Sequence, residues 1–413
     1  MKPRFLYGAP RRDPDDLYGR EEVLAVQDLI ADRSQSYAFV GPRRVGKTSI
    51  LYALDDMLRK RGLLTAYIDA ERGLGGGALT LQTFTRLYSF SILEDYMAQA
   101  GMRERLRMLL RESASRVISS LGRLLGRIEK ASLKLESKPL TALLEIHLRA
   151  EAGEISFKQA LELALDLPQE LAKRNKRNMA IFIDEFQFIS DLKVAMPGIL
   201  HVMRSHFQEH DRVAYVISGS SVGMLTRLIG DRQEPFYEFF LAQEVRPFDD
   251  QTAANFLKEG FESEGVQVEG SALEYVLARA DGIPAWLNYV GAEAVRLLKA
   301  GGTDKFTERI AERVVTKLQV DPMVTKTLDA EREKLRGLSP RLDAIYRMFG
   351  GRNELRPIEI KHQLEHELHQ RIPFSRVSDG LRRLVELGFI VKFGEVYRAA
   401  DPVLSTYAAI QKK

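Results

Sequence analysis

Apolar positions follow two rhythms along the chain. Up to about residue 245, short and near-continuous apolar runs alternate with stretches of helical period. The runs are residues 36–40, 64–69, 179–183, 213–218 and 239–245. Such runs suit strands covered on both faces, the habit of a parallel sheet. Between them, apolar residues recur three and four apart, as Ile50, Leu51, Leu54, Met57 and Leu58 do over 49–59. This alternation predicts an α/β layout.

One crossover departs from that layout. About 110 residues separate Asp69 from Met179, where one helix suffices. Within it Leu106, Leu109, Leu110, Val117, Leu121 and Leu124 keep helical spacing, and Ser156 with Gln159 has the form of a capping box. The spacing predicts a helical insertion over about 86–173, reached through a Gly-rich loop at 73–77. After Pro247 the pattern is helical alone to about Leu328. From Pro340, three helical runs (342–349, 358–368, 374–387) precede two short strands that turn at Phe393-Gly394. Three helices and a hairpin form the winged-helix order. The predicted domains are a core over 1–246, an all-α lid over 247–332 and a winged-helix domain over 333–413.

Composition narrows the classes. A chain of 413 residues with 45% hydrophobic and 29% charged residues is ordinary for a globular protein, which excludes a wholly disordered or fibrous one. Cysteine is absent. That excludes a disulfide framework, Cys-ligated zinc and a thiol nucleophile, and a cytoplasmic location is expected. The uncharged stretch 213–226 is too short to span a bilayer, and the N-terminus lacks the apolar segment of a signal peptide. A membrane partner is not expected. The net charge of +4 permits a nucleic-acid partner without demanding one.

The chemistry begins at Gly41-Pro42-Arg43-Arg44-Val45-Gly46-Lys47-Thr48, which matches G-x-x-x-x-G-K-[ST] between a predicted strand and a predicted helix. Glycines let backbone N–H groups converge on phosphate oxygens, and the helix N-terminus adds partial positive charge. Lys47 is then the residue for the β and γ phosphates, and Thr48 a ligand for Mg²⁺. The run Ile181-Phe182-Ile183 ends in Asp184 and Glu185. A carboxylate at that edge can hold Mg²⁺ beside the phosphate loop, which suits Asp184, and Glu185 is placed to act as general base on water.

These motifs, taken in order, resemble the archaeal ATPases related to AAA+ proteins, a branch near the STAND ATPases. The loop GPRRVGKTS carries the Arg-Arg pair often seen there. Leu17-Tyr18-Gly19-Arg20-Glu21-Glu22 looks like the family's upstream box, whose backbone packs near adenine. VISGSS at 216–221 is similar to its fourth strand, with the sensor-1 position at Ser220 and Ser218 in reserve. Asp281-Gly282-Ile283-Pro284 resembles the G-x-P motif of the lid. The resemblance covers most of 17–287 outside the insertion, plus the tail. It implies binding of ATP and ADP with Mg²⁺, contacts from Ser49, Tyr18, Gly19, Arg20, Gly282 and Pro284, and hydrolysis supported by Glu185, Lys47 and Ser220. The sequence departs from the family before the fifth strand, where 234–239 holds no arginine. Arg227 and Arg232 are the substitute candidates for a sensing arginine, including one donated in trans within a homo-oligomer.

Two ancillary parts keep two readings each. Arg371, Arg376, Arg382, Arg383, Lys392 and Arg398 in the winged helix suit DNA phosphates. The same module also suits an intramolecular clamp on the ATPase core. Residues 103–138 carry ten Lys/Arg against four Asp/Glu. They fit a nucleic-acid surface or a solvated helix face whose arginine stems cover apolar surface. The pairs His206/His210 and His362/His366 have the spacing of a zinc site but read as helix faces without a third ligand. Trp286 reads as lid core, and Asp69 as a loop carboxylate. The leading function is therefore an ATP-hydrolysing switch that moves lid and winged helix. The alternative is an ATP-dependent DNA-binding protein resembling origin-recognition or transposition-type initiators. A phosphotransferase finds no support in the lid motif and the acidic pair.

Overall fold

Five strands form one parallel sheet: β1 (Tyr37–Val40), β2 (Leu64–Asp69), β3 (Met179–Asp184), β4 (Val213–Gly219) and β5 (Leu241–Glu244), in spatial order β2-β3-β4-β1-β5. They belong to a computed structural model that describes residues 5–74, 79–99, 155–193, 196–351 and 354–411. All five sequence runs are strands: the first and fifth are shorter than their runs, the second matches, and the third and fourth extend one residue further, to Asp184 and Gly219. Register sets the site. Val40 pairs with Gly219 and with Glu244, Ile183 with Ile217, and Asp69 with Asp184. The residues after β1, β3 and β4 therefore emerge side by side at one edge of the sheet.

Each face of the sheet is covered over β1 to β4, as continuous apolar strands require, whereas the edge strand β5 is largely exposed, contrary to the expectation for its run. On one face Phe39, Phe182 and Val216 meet Ile50, Leu51 and Leu54 of α1 (Lys47–Lys60). On the other, Ile68, Ile183 and Ile217 meet Phe84, Tyr88 and Ile92 of the helix Leu81–Gln99, with further cover from Phe157–Leu165 and Ile199–Glu209. The described ends of the expected insertion are thus sheet cover. Its Leu81–Gln99 helix also seals the edge strand, since Asp95 accepts from Tyr67 N at 2.8 Å and Gln99 donates to Thr65 O at 2.8 Å. The Ser156/Gln159 capping box is present. The basic stretch 103–138 lies outside the described residues.

The second half is helical. It includes α2 (Val222–Gly230) within the core, then α3 (Pro284–Gly301) and α4 (Pro322–Leu338). The tail holds Pro340–Arg347, Pro357–Leu368 and α5 (Phe374–Glu386), then the antiparallel hairpin β6 (Ile390–Phe393) and β7 (Val396–Ala399). Phe393 pairs with Val396, so the turn is Gly394-Glu395 and not Phe393-Gly394. A final helix α6 (Pro402–Ile410) was not expected. Its run of apolar residues has no polar face because packing buries most of it. Its signal was the cap: Asp401 accepts from Val403 N and Leu404 N before Pro402. The division expected at 332 falls inside the unbroken helix α4, and one apolar core runs from Phe256 and Trp286 through Tyr346 to Tyr407. Among the described residues no helix is long and apolar enough to cross a membrane.

Candidate nucleotide and catalytic site

The phosphate loop joins β1 to α1. Gly46 sits at φ +96° with open space where a Cβ would be, so backbone conformation is what demands glycine there. Gly41 serves a different need: a Cβ would lie 2.1 Å from Val245 O, so glycine allows the close approach of the segment after β5. Lys47 is buried at the start of α1, and Nζ donates to Gly41 O at 2.9 Å and Pro42 O at 2.7 Å. Burial lowers its pKa to about 8, against the pull of Glu185 and Asp184.

Asp184 ends β3 and is buried. Its Oδ2 accepts from Thr48 Oγ1 and from Tyr67 OH, each at 2.7 Å, and its Oδ1 accepts from Ser218 Oγ and, at 3.0 Å, from Glu185 N. Glu185 follows in the left-handed region at φ +53°. Its Oε2 accepts from Ser220 Oγ at 2.9 Å, from Ser220 N at 3.3 Å and from Gln187 Nε2. The structure thus brings Lys47, Thr48, Asp184, Glu185 and Ser220 together, and it gives Ser218 and Ser220 different acidic partners. Tyr67 and Gln187 have no motif of their own in the sequence. Only β2 lying beside β3, and the turn after β3, place them there.

A cavity of about 450 Å³ opens beside these groups. Gly46, Lys47, Thr48 and Ser49 form one wall, Tyr18 and Arg20 another, and Pro284 and Asn288 of the lid a third. Arg20 is buried and donates to Val45 O and Arg246 O, both at 2.9 Å, with its guanidinium 4.7 Å from the Phe248 ring centre. Burial lowers its pKa to about 10. Gly19 turns the chain at φ +60°. Tyr18 packs on Phe248 and Phe256 and donates to Glu259 at 2.7 Å. In the lid, Pro284 opens α3, whereas Gly282 is a backbone junction. A Cβ there would meet Phe248 O at 2.0 Å, and Phe248 N donates to Gly282 O at 2.9 Å. The N-terminal segment, unassigned from the sequence, also reaches the cavity. Leu6 N donates to Asn288 Oδ1 at 2.9 Å, and Arg11 N to Ser49 Oγ at 3.0 Å.

The side chains of the loop's arginine pair face the C-terminal half. Arg44 forms ion pairs with Glu331 of α4 at 2.5 Å and with Asp401 at 2.7 Å, over the Trp286 ring at 4.8 Å. Arg43 reaches Glu331 at 3.0 Å. Trp286 is fully buried in the lid and donates to Asp401 at 3.0 Å. Burial alone would lower the Arg44 pKa, but Glu331 and Asp401 outweigh it and raise it. Burial pushes the Asp401 carboxyl up in spite of Arg44. Three N–H donors, from Trp286, Val403 and Leu404, favour the charged form of Asp401 beside Arg44.

Asp69 stands in register with Asp184 beside this site, while the remaining arginine and histidine candidates lie apart from it. Arg227 is exposed and paired with Glu234 at 2.8 Å, and Arg232 is exposed. His206 and His210 both face Asp166, and among the described residues no group of three or more His, Cys, Asp or Glu could hold a metal. Asp69 pairs with Arg72 at 3.2 Å.

A glycine-lined phosphate loop after β1, an acid pair at the end of β3 with β4 between them, and a helical lid over a parallel sheet of this order define an AAA+-like P-loop NTPase fold. A family model described as an ATPase domain predominantly from Archaea matches residues 18–290, well over half of the chain, and the protein belongs to that family. Its fold is similar to the Walker-type ATPase of Pyrococcus abyssi, at 24% identity and TM-score 0.66, covering 97% of this chain and 98% of that one. It is also similar to the ORC2 protein of Aeropyrum pernix in its ADPNP–ADP complexes, at 14% identity and TM-score 0.57, covering 99% and 96%. No curated protein matches the chain.

Proposed function

We propose that the protein is an ATP-hydrolysing switch in which the state of the nucleotide site is transmitted to the lid and the winged-helix module. One observation carries the reading: phosphate-loop, acidic and lid residues converge on one cavity, and the loop's own arginines are tied to α4 and to the cap of α6. Loop amides and Lys47 bind the phosphates. Thr48 and Asp184 supply two hard oxygen donors 2.7 Å apart, a set that fits Mg²⁺. Bound there, Mg²⁺ would neutralise charge on the phosphate oxygens. Glu185 accepts the proton of the attacking water, and Ser220 donates to the γ-phosphate.

The clamp reading of the C-terminal module finds support at a second contact. A Cβ on Gly223 would lie 2.7 Å from Glu386 Cα, and one on Gly388 would lie 2.6 Å from Ser220 O. The end of α5 therefore rests on the turn that carries Ser220. The DNA reading is weaker at this helix, because Arg382 pairs with Asp379 at 2.8 Å and Arg383 with Glu386 at 3.0 Å on the same helix.

Glu185→Gln tests the assignment. ATP binding by calorimetry is expected to persist, while phosphate release falls by about a hundredfold or more. Undiminished turnover in that variant would falsify Glu185 as the base.

A further inference from the structure

We propose that Gln187 is a positioning residue: its side-chain amide fixes Ser220 as a hydrogen-bond donor and holds the Glu185 carboxylate beside it. The inference rests on the ATP-hydrolysing reading of this site and assigns a part that no motif in the chain covers.

Gln187 is buried and opens the short helix Gln187–Ser190 that follows the turn after β3. Its Nε2 donates to Glu185 Oε2 and, at 3.3 Å, to Ser220 Oγ. An amide nitrogen carries two hydrogens, so each contact takes one. Ser220 Oγ thereby receives a hydrogen from Gln187 and must direct its own elsewhere. In this structure that hydrogen goes to Glu185 Oε2 at 2.9 Å. With ATP bound, a γ-phosphate oxygen is the competing acceptor. Ser220 can move its hydrogen to phosphate while Gln187 keeps its hold on Glu185, so the base stays in register.

Two further features fix the amide's orientation. Gln187 Oε1 is buried and has no hydrogen-bond partner among the described residues. Rotating the amide to pair it would turn Oε1 onto the Glu185 carboxylate, oxygen against oxygen, so electrostatics holds the unpaired arrangement. The last residue of β4 makes room for it: a Cβ on Gly219 would lie 2.4 Å from Gln187 Oε1. That glycine has an ordinary negative φ, so space rather than backbone conformation calls for it.

The test compares Gln187→Met, which keeps an unbranched chain and removes the donor, with the near-isosteric Gln187→Glu, which puts an acceptor where the donor was. Both are expected to lower kcat by about tenfold to a hundredfold, the usual range for an outer-shell partner. ADP affinity is expected to stay within about twofold, because the amide acts where the γ-phosphate sits. In a Ser220→Ala background the Gln187→Met effect should shrink, since part of its role runs through that hydroxyl. Unchanged kcat in folded Gln187→Met, or loss of ADP affinity in step with kcat in both variants, overturns the proposal and leaves the ATPase reading standing. A wild-type chain that neither binds nor hydrolyses ATP removes both together.

Discussion

At the scale of single residues, Lys47 has the clearest consequence. Its pKa lies at about 8 in the folded chain against an ordinary 10.5, because burial strips solvent from the ammonium. Between those values the unfolded chain binds more protons than the folded one. This residue's contribution to stability therefore rises with pH across that window and is least favourable below it. A triphosphate next to the ammonium restores the proton. ATP binding should then take up protons above about pH 8 and weaken as pH climbs further. Below that, Lys47 is charged with or without nucleotide and the dependence vanishes. Calorimetry in two buffers of different ionisation enthalpy, near pH 9, reads the uptake directly, and equal enthalpies in both would contradict it. The motif made Lys47, Thr48, Asp184 and Glu185 legible, since each has a fixed place relative to a strand end. Gln187 and Tyr67 were not legible, because their parts depend on which strand lies next to which.

At the scale of elements, the contact between α2 and α5 is the most exposed to test. Gly223 of α2 faces the backbone of Glu386 at the end of α5. Gly223→Ala inserts a methyl against main chain that cannot rotate away. It should destabilise the protein by about 1–3 kcal/mol, read as a lower thermal midpoint. Because the same turn carries Ser220, kcat should change as well. A variant with an unaltered midpoint and kcat would show that the two helices part freely. The element pattern itself was readable from period. Strands buried on both faces appear as unbroken apolar runs, and α1 and α5 as apolar positions three and four apart. Helix α6 escaped because its burial on nearly all sides erases the period. The expected boundary at 332 failed to mark a break because the pattern of α4 continues into residues that pack on both neighbours.

For the whole molecule, the decisive arrangement is that one apolar core joins lid and tail while ion pairs join that body to the phosphate loop. Movement of the loop arginines on nucleotide binding should then be felt far along the chain. Backbone hydrogen exchange in α4 and α6 is expected to differ between ATP-bound Glu185→Gln protein and its ADP-bound form. Identical exchange in both segments would mean that the clamp is static and the switch reading wrong.

The sequence by itself determined the parallel sheet, the phosphate loop and the acid pair. These are local: a strand's period, a glycine's dihedral freedom and a carboxylate's place after a strand are properties of consecutive residues. Tertiary structure alone decided what Arg43 and Arg44 hold, which serine serves which carboxylate, and where the tail rests. Those depend on residues from 34 to 357 positions apart, brought into contact only when the elements between them pack, and geometry of that kind leaves no spacing to read along the chain.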